Sequence, residues 1–287
     1  MIADPRTLLA KYRLHAKRSW GQNFLISTRV YDAIVRATVA APGEWVVEVG
    51  AGLGTLTARL AEALPAGRVI AVERDRDLAK VLREELGAVA NVEIAEANAL
   101  TFDYSAVAAR AGGPIAVVGN LPYQIASPLV FAMLEQRQSI SRAVIMLQKE
   151  MADRLVARPD TSEYGAMGVM VGAYADVRRV TAAPSQAFHP APRVDSAVVA
   201  ITPRAMPRAP IPDERKFSAV VHAGFGQRRK TLRNALRARW VVDEVDAALT
   251  ATGLDGQRRG ETLSIEEFAA LAVAFGAFAA PLAPAPE

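Results

Sequence analysis
From Trp45 onward, short β-branched apolar runs alternate with amphipathic helical patterns, and no other feature of the chain restricts its fold as tightly. Strands that are apolar on both faces belong inside a sheet covered on two sides, and parallel neighbours need a crossover long enough to hold a helix. Trp45 to Val49, Arg68 to Glu73, Val92 to Ala97 and Ile115 to Gly119 predict four strands, with helices at Thr55 to Leu64 and Asp77 to Leu86. The expected class is α/β, a doubly wound, Rossmann-like sheet. A helix from Ser127 to Glu135, a strand from Ala143 to Gln148 and a helix from Glu150 to Val156 continue the pattern. Val169 to Val180 and Ser196 to Ile201 then read as two late strands with no long helix between them, which predicts an antiparallel element at the sheet edge.

Four prolines between Pro203 and Pro212 mark a linker. Beyond it, apolar residues at Phe217, Val220, Val221, Leu232, Leu236, Val242, Val245, Leu249, Phe268 and Leu271 keep helical spacing. The expected division is an α/β domain over residues 1–203 and a small all-helical domain over 204–287. The uncharged tract from Phe268 to Pro286 is no membrane span, because its helix-compatible part ends before Pro281 and reaches only about 20 Å.

Composition removes whole classes of chemistry. The 287 residues include no cysteine, which excludes disulfides, thiolate zinc sites, iron–sulfur clusters and cysteine nucleophiles. His15, His189 and His222 are far apart with no i,i+4 pair, so no metal site is expected. Asp4, Arg6, Lys11 and Arg13 stand where a signal peptide would need an apolar stretch, so the expectation is a cytoplasmic protein. Positive charge is concentrated: residues 1–36 carry seven Lys/Arg against two acids, and residues 204–240 carry ten against two. Such clustering suits a polyanion, since each neutralised phosphate releases counterions.

The first βα turn reads Glu48-Val-Gly-Ala-Gly-Leu-Gly54. Glycines at 50, 52 and 54 let the backbone approach a ligand and open a helix whose N-terminus is positive. Glu73 follows Gly50 by 23 residues, at the end of the second strand, where an acid can accept both ribose hydroxyls of an adenosine. A dinucleotide fingerprint would place its third glycine where Thr55 stands, and no G-x-x-x-x-G-K-[ST] loop occurs anywhere. A nucleoside cofactor without a phosphate chain is favoured, and S-adenosylmethionine fits. The alternative is a glycine turn needed only for tight helix packing.

The fourth strand runs into Asn120-Leu-Pro-Tyr123 at the carboxyl edge, where open α/β sheets bind ligands. Such a tetrapeptide can be a simple turn. It can also serve an exocyclic adenine amine, whose lone pair is delocalised into the ring. The Asn120 carbonyl and the backbone carbonyl of Leu121, accepting its two N–H bonds, would draw that nitrogen towards tetrahedral geometry. Tyr123 would stack on a base flipped out of its strand, a contact worth ~1–3 kcal/mol.

With both motifs in place the chain resembles the ribosomal RNA adenine N6-dimethyltransferases, and within them the enzymes of small-subunit (16S) rRNA. The likeness starts at Gln22-Asn-Phe-Leu25, takes in the motifs above and Phe188-His-Pro-Ala-Pro-Arg-Val-Asp-Ser196, and ends with Phe225-Gly-Gln-Arg-Arg-Lys-Thr-Leu-Arg-Asn234. It implies a methyltransferase catalytic domain followed by a helical RNA-binding domain. By the same resemblance Asn23 and Leu25 close over the cofactor, Gly50 approaches its methionine end, Glu73 holds the ribose, and Asn120 touches both methyl donor and target amine. Tyr123 and Phe188 are expected to sandwich the adenine, although Phe188 read from its own surroundings is a hydrophobic plug. Arg228, Arg229, Lys230, Arg233 and Arg237 would form a like-charged helix face, which points to phosphate contact.

One position departs from the family's pattern. Asn98 stands where an aspartate usually accepts from the cofactor's adenine amino group, which costs an order of ~1 kcal/mol in charge assistance. The implied product is N6,N6-dimethyladenosine at two adjacent adenosines near the 3′ end, made by a monomer acting on a ribosome assembly intermediate. Three rivals stay open: the same chemistry on large-subunit rRNA, as in macrolide-resistance methyltransferases; a non-catalytic RNA-binding assembly factor; and a nicotinamide-dependent oxidoreductase.

Overall fold
The computed structural model describes residues 3–17, 20–122, 125–227 and 229–277. In chain order the elements are α1 (Pro5–Lys11), β1 (Phe24–Leu25), α2 (Thr28–Thr38), β2 (Trp45–Val49), α3 (Thr55–Ala63), β3 (Arg68–Glu73), α4 (Arg76–Leu86), β4 (Val92–Glu96), α5 (Tyr104–Ala111), β5 (Ile115–Asn120), α6 (Ala126–Glu135), β6 (Ile140–Gln148), α7 (Lys149–Val156), α8 (Ala166–Tyr174), β7 (Ala175–Ala183), β8 (Phe188–His189), β9 (Ser196–Pro203), α9 (Glu214–Gly226), α10 (Leu232–Leu236), α11 (Val242–Thr252) and α12 (Ile265–Ala274). Two compact units result. Residues 1–152 with 177–203 form the first, and residues 153–176 with 204–287 form the second. The segment Asp153–Asp176 therefore groups with the helical unit, unlike the single boundary expected at 203/204.

In the first unit seven strands form one sheet in the order β4-β3-β2-β5-β6-β9-β7. The pairs β2/β3, β3/β4, β2/β5 and β5/β6 are parallel, as the βα alternation predicts, and β6/β9 is antiparallel. The chain winds outward from β2 through β3 to β4, then returns to lay β5 on the other side of β2. The carboxyl ends of β2 and β5 are thus neighbours at the switch point, where open sheets bind their ligands. The antiparallel strand lies one place in from the edge, which β7 occupies.

The expected strand from Val169 is a helix up to Tyr174, and β7 begins only at Ala175. The run Ala-Met-Gly-Val-Met-Val-Gly-Ala-Tyr is apolar on every side, and uniform apolarity does not separate a buried helix from a buried strand. Gly172 allows the helix to pack closely, since a Cβ there would lie 2.7 Å from Ile265 Cδ1. The second unit is otherwise helical as its spacing predicts. Asp213 caps α9 by accepting from Lys216 N–H at 2.9 Å, and Ser264 with Glu267 forms a capping box on α12. Its interior holds stacked rings, Trp240 on Phe275 at 4.3 Å and Phe225 on Phe268 at 5.5 Å between centroids.

Where β5 passes the end of β2 the backbones crowd. A Cβ on Gly119 would lie 2.5 Å from the Val49 carbonyl oxygen, which only glycine avoids. Gly119→Ala is expected to lower stability by about 1–3 kcal/mol, read from the urea unfolding midpoint. Gly113→Ala, where a Cβ meets nothing within 4 Å, should leave that midpoint unchanged.

Candidate active site
The turn after β2 is built from left-handed glycines: Gly50 at φ 69°, Gly52 at 60° and Gly54 at 79°. Gly50 and Ala51 N–H both donate to the Val72 carbonyl, at 2.9 and 3.1 Å, which ties the turn to β3. Glu73, the last residue of β3, completes the tie. Its Oε2 accepts from Gly52 N–H and its Oε1 from Asp75 N–H, each at 2.8 Å. Burial pushes the Glu73 carboxyl above its ordinary range, against the pull of those N–H donors.

Two adjoining cavities open at this edge. The first is lined by Asn23, Leu25, Glu48, Gly50 to Leu53, Glu73, Asn120, Leu121 and Met146 among others, and the second by Asn98, Leu100, Val72, Arg74 and Ile125; Trp20, Gly50, Glu73 and Pro122 belong to both. Asn23, Leu25, Gly50, Glu73, Asn120 and Leu121, far apart in sequence, thus meet at one site, with Asn98 beside them.

Glu48 is a functional candidate that motif reading passed over as a strand end. It is fully buried in the wall of the first cavity, and the Thr57 hydroxyl donates to its Oε2 at 2.5 Å. Burial, then the charge of Glu73, pushes its carboxyl up to about 8. Among the described residues the first cavity has two carboxylates and no Lys or Arg in its lining. Glu48 is neutral near pH 7 in the ligand-free protein, and a cation beside it would favour its ionised form, so a ligand carrying ammonium and sulfonium charge such as S-adenosylmethionine fits this wall.

Asn120 is oriented by a contact that sequence alone does not reveal. Its Nδ2 donates to the Asn23 carbonyl at 2.9 Å, which leaves Oδ1 as the side-chain acceptor for a substrate. Asn23 is itself braced, its Nδ2 donating to the Gly21 carbonyl at 3.0 Å. Leu121 is buried, and its N–H donates to the Met146 carbonyl at 3.2 Å. The Gln22–Leu25 segment is held by β1/β8 pairing, Phe24 opposite His189 and Leu25 opposite Phe188. Tyr31, another residue missed by motif reading, donates to the Leu25 carbonyl at 2.5 Å and meets Thr55 Oγ1 at 2.6 Å, joining that segment to the start of α3.

Three of the expected site residues are engaged within the protein. Phe188 is 3% exposed and lines neither cavity; it is buried in one core cluster with Leu25, Met146 and Val198 and pairs with Leu25 through β1/β8, the plug that its own surroundings predict. The Asn98 side-chain oxygen already accepts from Leu100 N–H at 3.2 Å as the cap of a short helical turn. Arg233 is paired inside the helical unit, its Nε donating to Asp246 Oδ1 at 2.6 Å and a second nitrogen to Oδ2, in a pair that stays partly exposed. Arg229 and Lys230 are exposed, whereas Tyr123 and Arg228 lie outside the described residues. Among the described residues no group of three His, Asp or Glu is placed to hold a metal ion, and no helix is long and apolar enough to cross a membrane.

Sheet order, glycine turn, terminal acid and carboxylate-lined cavity together define a Rossmann-like, S-adenosylmethionine-dependent methyltransferase. Comparison with known proteins makes the class specific. The family profile "Ribosomal RNA adenine dimethylase" matches residues 13–275. The chain is 47% identical to "Ribosomal RNA small subunit methyltransferase A" of Myxococcus xanthus over 99% of this chain and 98% of that protein, and 46% identical to the protein of the same name from Anaeromyxobacter dehalogenans over 95% and 98%. Among solved structures, the 23S rRNA methyltransferase ErmE superposes with a TM-score of 0.67 at 28% identity, over 88% of this chain and 100% of that one. A dimethyladenosine transferase from Plasmodium falciparum gives 0.70 at 22% identity, over 88% and 98%, and shows the shared fold. The chain belongs to the ribosomal RNA adenine dimethylase family.

The raised Glu48 carboxyl has a thermodynamic consequence. Glu48 stays protonated in the ligand-free protein up to about pH 8 but ionises near pH 4.5 when unfolded. The stability it contributes is therefore complete below about pH 4.5 and is lost as pH rises through about 8. Carboxylates held low by partners, such as Glu85 and Asp246, change below this window. Urea midpoints of the ligand-free protein should fall between pH 5 and 8 in buffered series, and Glu48→Gln should flatten that fall.

Proposed function
We propose that the protein transfers methyl groups from S-adenosylmethionine to N6 of adenosines in small-subunit (16S) ribosomal RNA, giving N6,N6-dimethyladenosine at two adjacent positions near the 3′ end. The observation that carries this reading is the fixed Asn120 carboxamide, whose nitrogen is held by the Asn23 carbonyl beside a cavity walled by Glu48 and Glu73. S-adenosylmethionine supplies a methyl group activated by its sulfonium.

The chain's own residues do the rest. Asn120 Oδ1 and the Leu121 carbonyl accept the two N–H bonds of the target amine, localising the nitrogen lone pair and aiming it at the methyl carbon. No side-chain base of high pKa is needed to start the attack, because acceptors rather than proton removal expose the lone pair; as the nitrogen–carbon bond forms the carbon–sulfur bond breaks to leave a neutral thioether, and the methylated nitrogen then loses one proton to solvent. Glu73 holds the ribose and Glu48 faces the cationic half of the cofactor. A monomethylated amine keeps one N–H, which a single acceptor satisfies, so the same site serves the second transfer. Tyr123 is proposed to stack on the flipped base.

The helical unit is proposed to meet RNA phosphates through Arg228, Arg229 and Lys230. Contacts of this kind position the RNA rather than read its sequence, so shape is expected to supply specificity. The substrate form is proposed to be a ribosome assembly intermediate in the cytoplasm, met by a monomer. Identity of 46–47% to small-subunit enzymes, against 28% to ErmE, supports the small subunit over large-subunit rRNA.

Asn120→Ala is expected to lower methyl transfer to unmethylated small subunits by at least about 10²-fold, the usual cost of removing a positioned hydrogen-bonding group at a reacting centre. RNA binding by filter retention should change little. A variant that still dimethylates at a rate near wild type would remove Asn120 from the mechanism.

A further inference from the structure
Trp20 leaves 42% of its surface exposed, a large area for a side chain that ordinarily buries most of itself. It lines both cavities, a property shared among the described residues only with Gly50, Glu73 and Pro122. Of these four, Trp20 alone carries a broad aromatic face. The indole is held in place: Lys17 Nζ and the Arg74 guanidinium carbon each lie 5.5 Å from a Trp20 ring centroid, within cation–π range.

Those supports lead back to the ligand site. Lys17 Nζ donates to Asp75 Oδ1 at 2.8 Å and to Asp77 Oδ2 at 2.7 Å. Gln22 Nε2 donates to Asp75 Oδ2 at 2.8 Å, while its Oε1 accepts from Lys17 N–H at 2.9 Å. Residues on either side of Trp20 are therefore fastened to the turn after β3, and that turn begins at Glu73, whose Oε1 accepts from Asp75 N–H. The indole and the ribose-binding acid are mounted on one support.

We propose that Trp20 is a cofactor-contact residue that closes over the ribose at the junction of the two cavities and sets how long the cofactor stays. The inference rests on the cofactor reading of Glu73 given above. A ligand with its methionine half in the first cavity and its adenosine half in the second crosses the junction, where the C–H face of the sugar meets the indole. Burying the exposed part of Trp20 against that face adds affinity without touching the reacting atoms. Each dimethylated base consumes two cofactor molecules, so affinity at this junction sets the cofactor concentration at which both transfers proceed.

The test uses the full-length protein titrated with S-adenosylmethionine while tryptophan emission is followed, together with steady-state methyl transfer, for wild type, Trp20→Phe, Trp20→Ala and Glu73→Ala. The emission change on binding is expected to disappear in Trp20→Phe although Trp45 and Trp240 remain. Trp20→Ala should raise the cofactor Kd and KM by about tenfold with kcat held within about twofold, and Trp20→Phe should give an intermediate rise. An emission change that survives in Trp20→Phe, a cofactor KM unchanged in Trp20→Ala, or a loss of kcat at unchanged KM overturns the proposal. Glu73→Ala separates the two layers: lost binding there with Trp20→Ala unaffected sinks the Trp20 role alone, whereas normal binding in Glu73→Ala removes the cofactor reading on which it rests.

Discussion
The Glu73 carboxylate is the joint on which the site depends. With one oxygen on Gly52 N–H and the other on Asp75 N–H, it fastens the glycine turn of β2 to the end of β3 and to the cap of α4. Each bond reaches a backbone donor that the turn geometry would otherwise leave without a partner. Asp75 carries the connection on to Lys17 and Gln22, so the amino-terminal segment is located by the same turn. A buried acid with no cation of its own is costly, and here its bonds to backbone N–H groups offset part of that cost.

That segment explains why residues so distant in sequence act together. Leu25 pairs with Phe188, Asn23 presents its carbonyl to Asn120, and Tyr31 bridges Leu25 to Thr55. Asn120 would otherwise be free to turn its amide either way at the mouth of β5. Pairing with Asn23 fixes Nδ2 as a donor inside the protein and leaves Oδ1 as the acceptor of that amide. Glu48 adds a second acid to the same cavity, neutral without a ligand and able to ionise beside a bound cation, and among the described residues no Lys or Arg lines that cavity.

Much of the first unit was legible because its information is local. Val46, Val47 and Ile70 to Val72 are unbroken apolar runs, and the glycines and Glu73 keep fixed offsets from them, so strands, turn and acid could be placed before any contact was known. Where contacts decide, the sequence was silent or misleading. Met167 to Tyr174 is apolar all round and reads as strand or helix alike. Phe188 reads as a hydrophobic plug from its own surroundings, and it is buried in the core beside Leu25, but only the β1/β8 pairing shows what it packs against. Arg233 looks like its basic neighbours until α11 brings Asp246 to it across the helical unit. Glu48 and Gly119 pass for ordinary strand residues, and only the cavity wall and the approach of the Val49 carbonyl give them their meaning.

Methyl transfer to adenine N6 of small-subunit RNA can be read by incubating the purified protein with radiolabelled S-adenosylmethionine and unmethylated small or large subunits. After nuclease digestion the account predicts labelled N6,N6-dimethyladenosine from the small subunit and none from the large. Label confined to the large subunit, or no label on either despite cofactor binding, would contradict it.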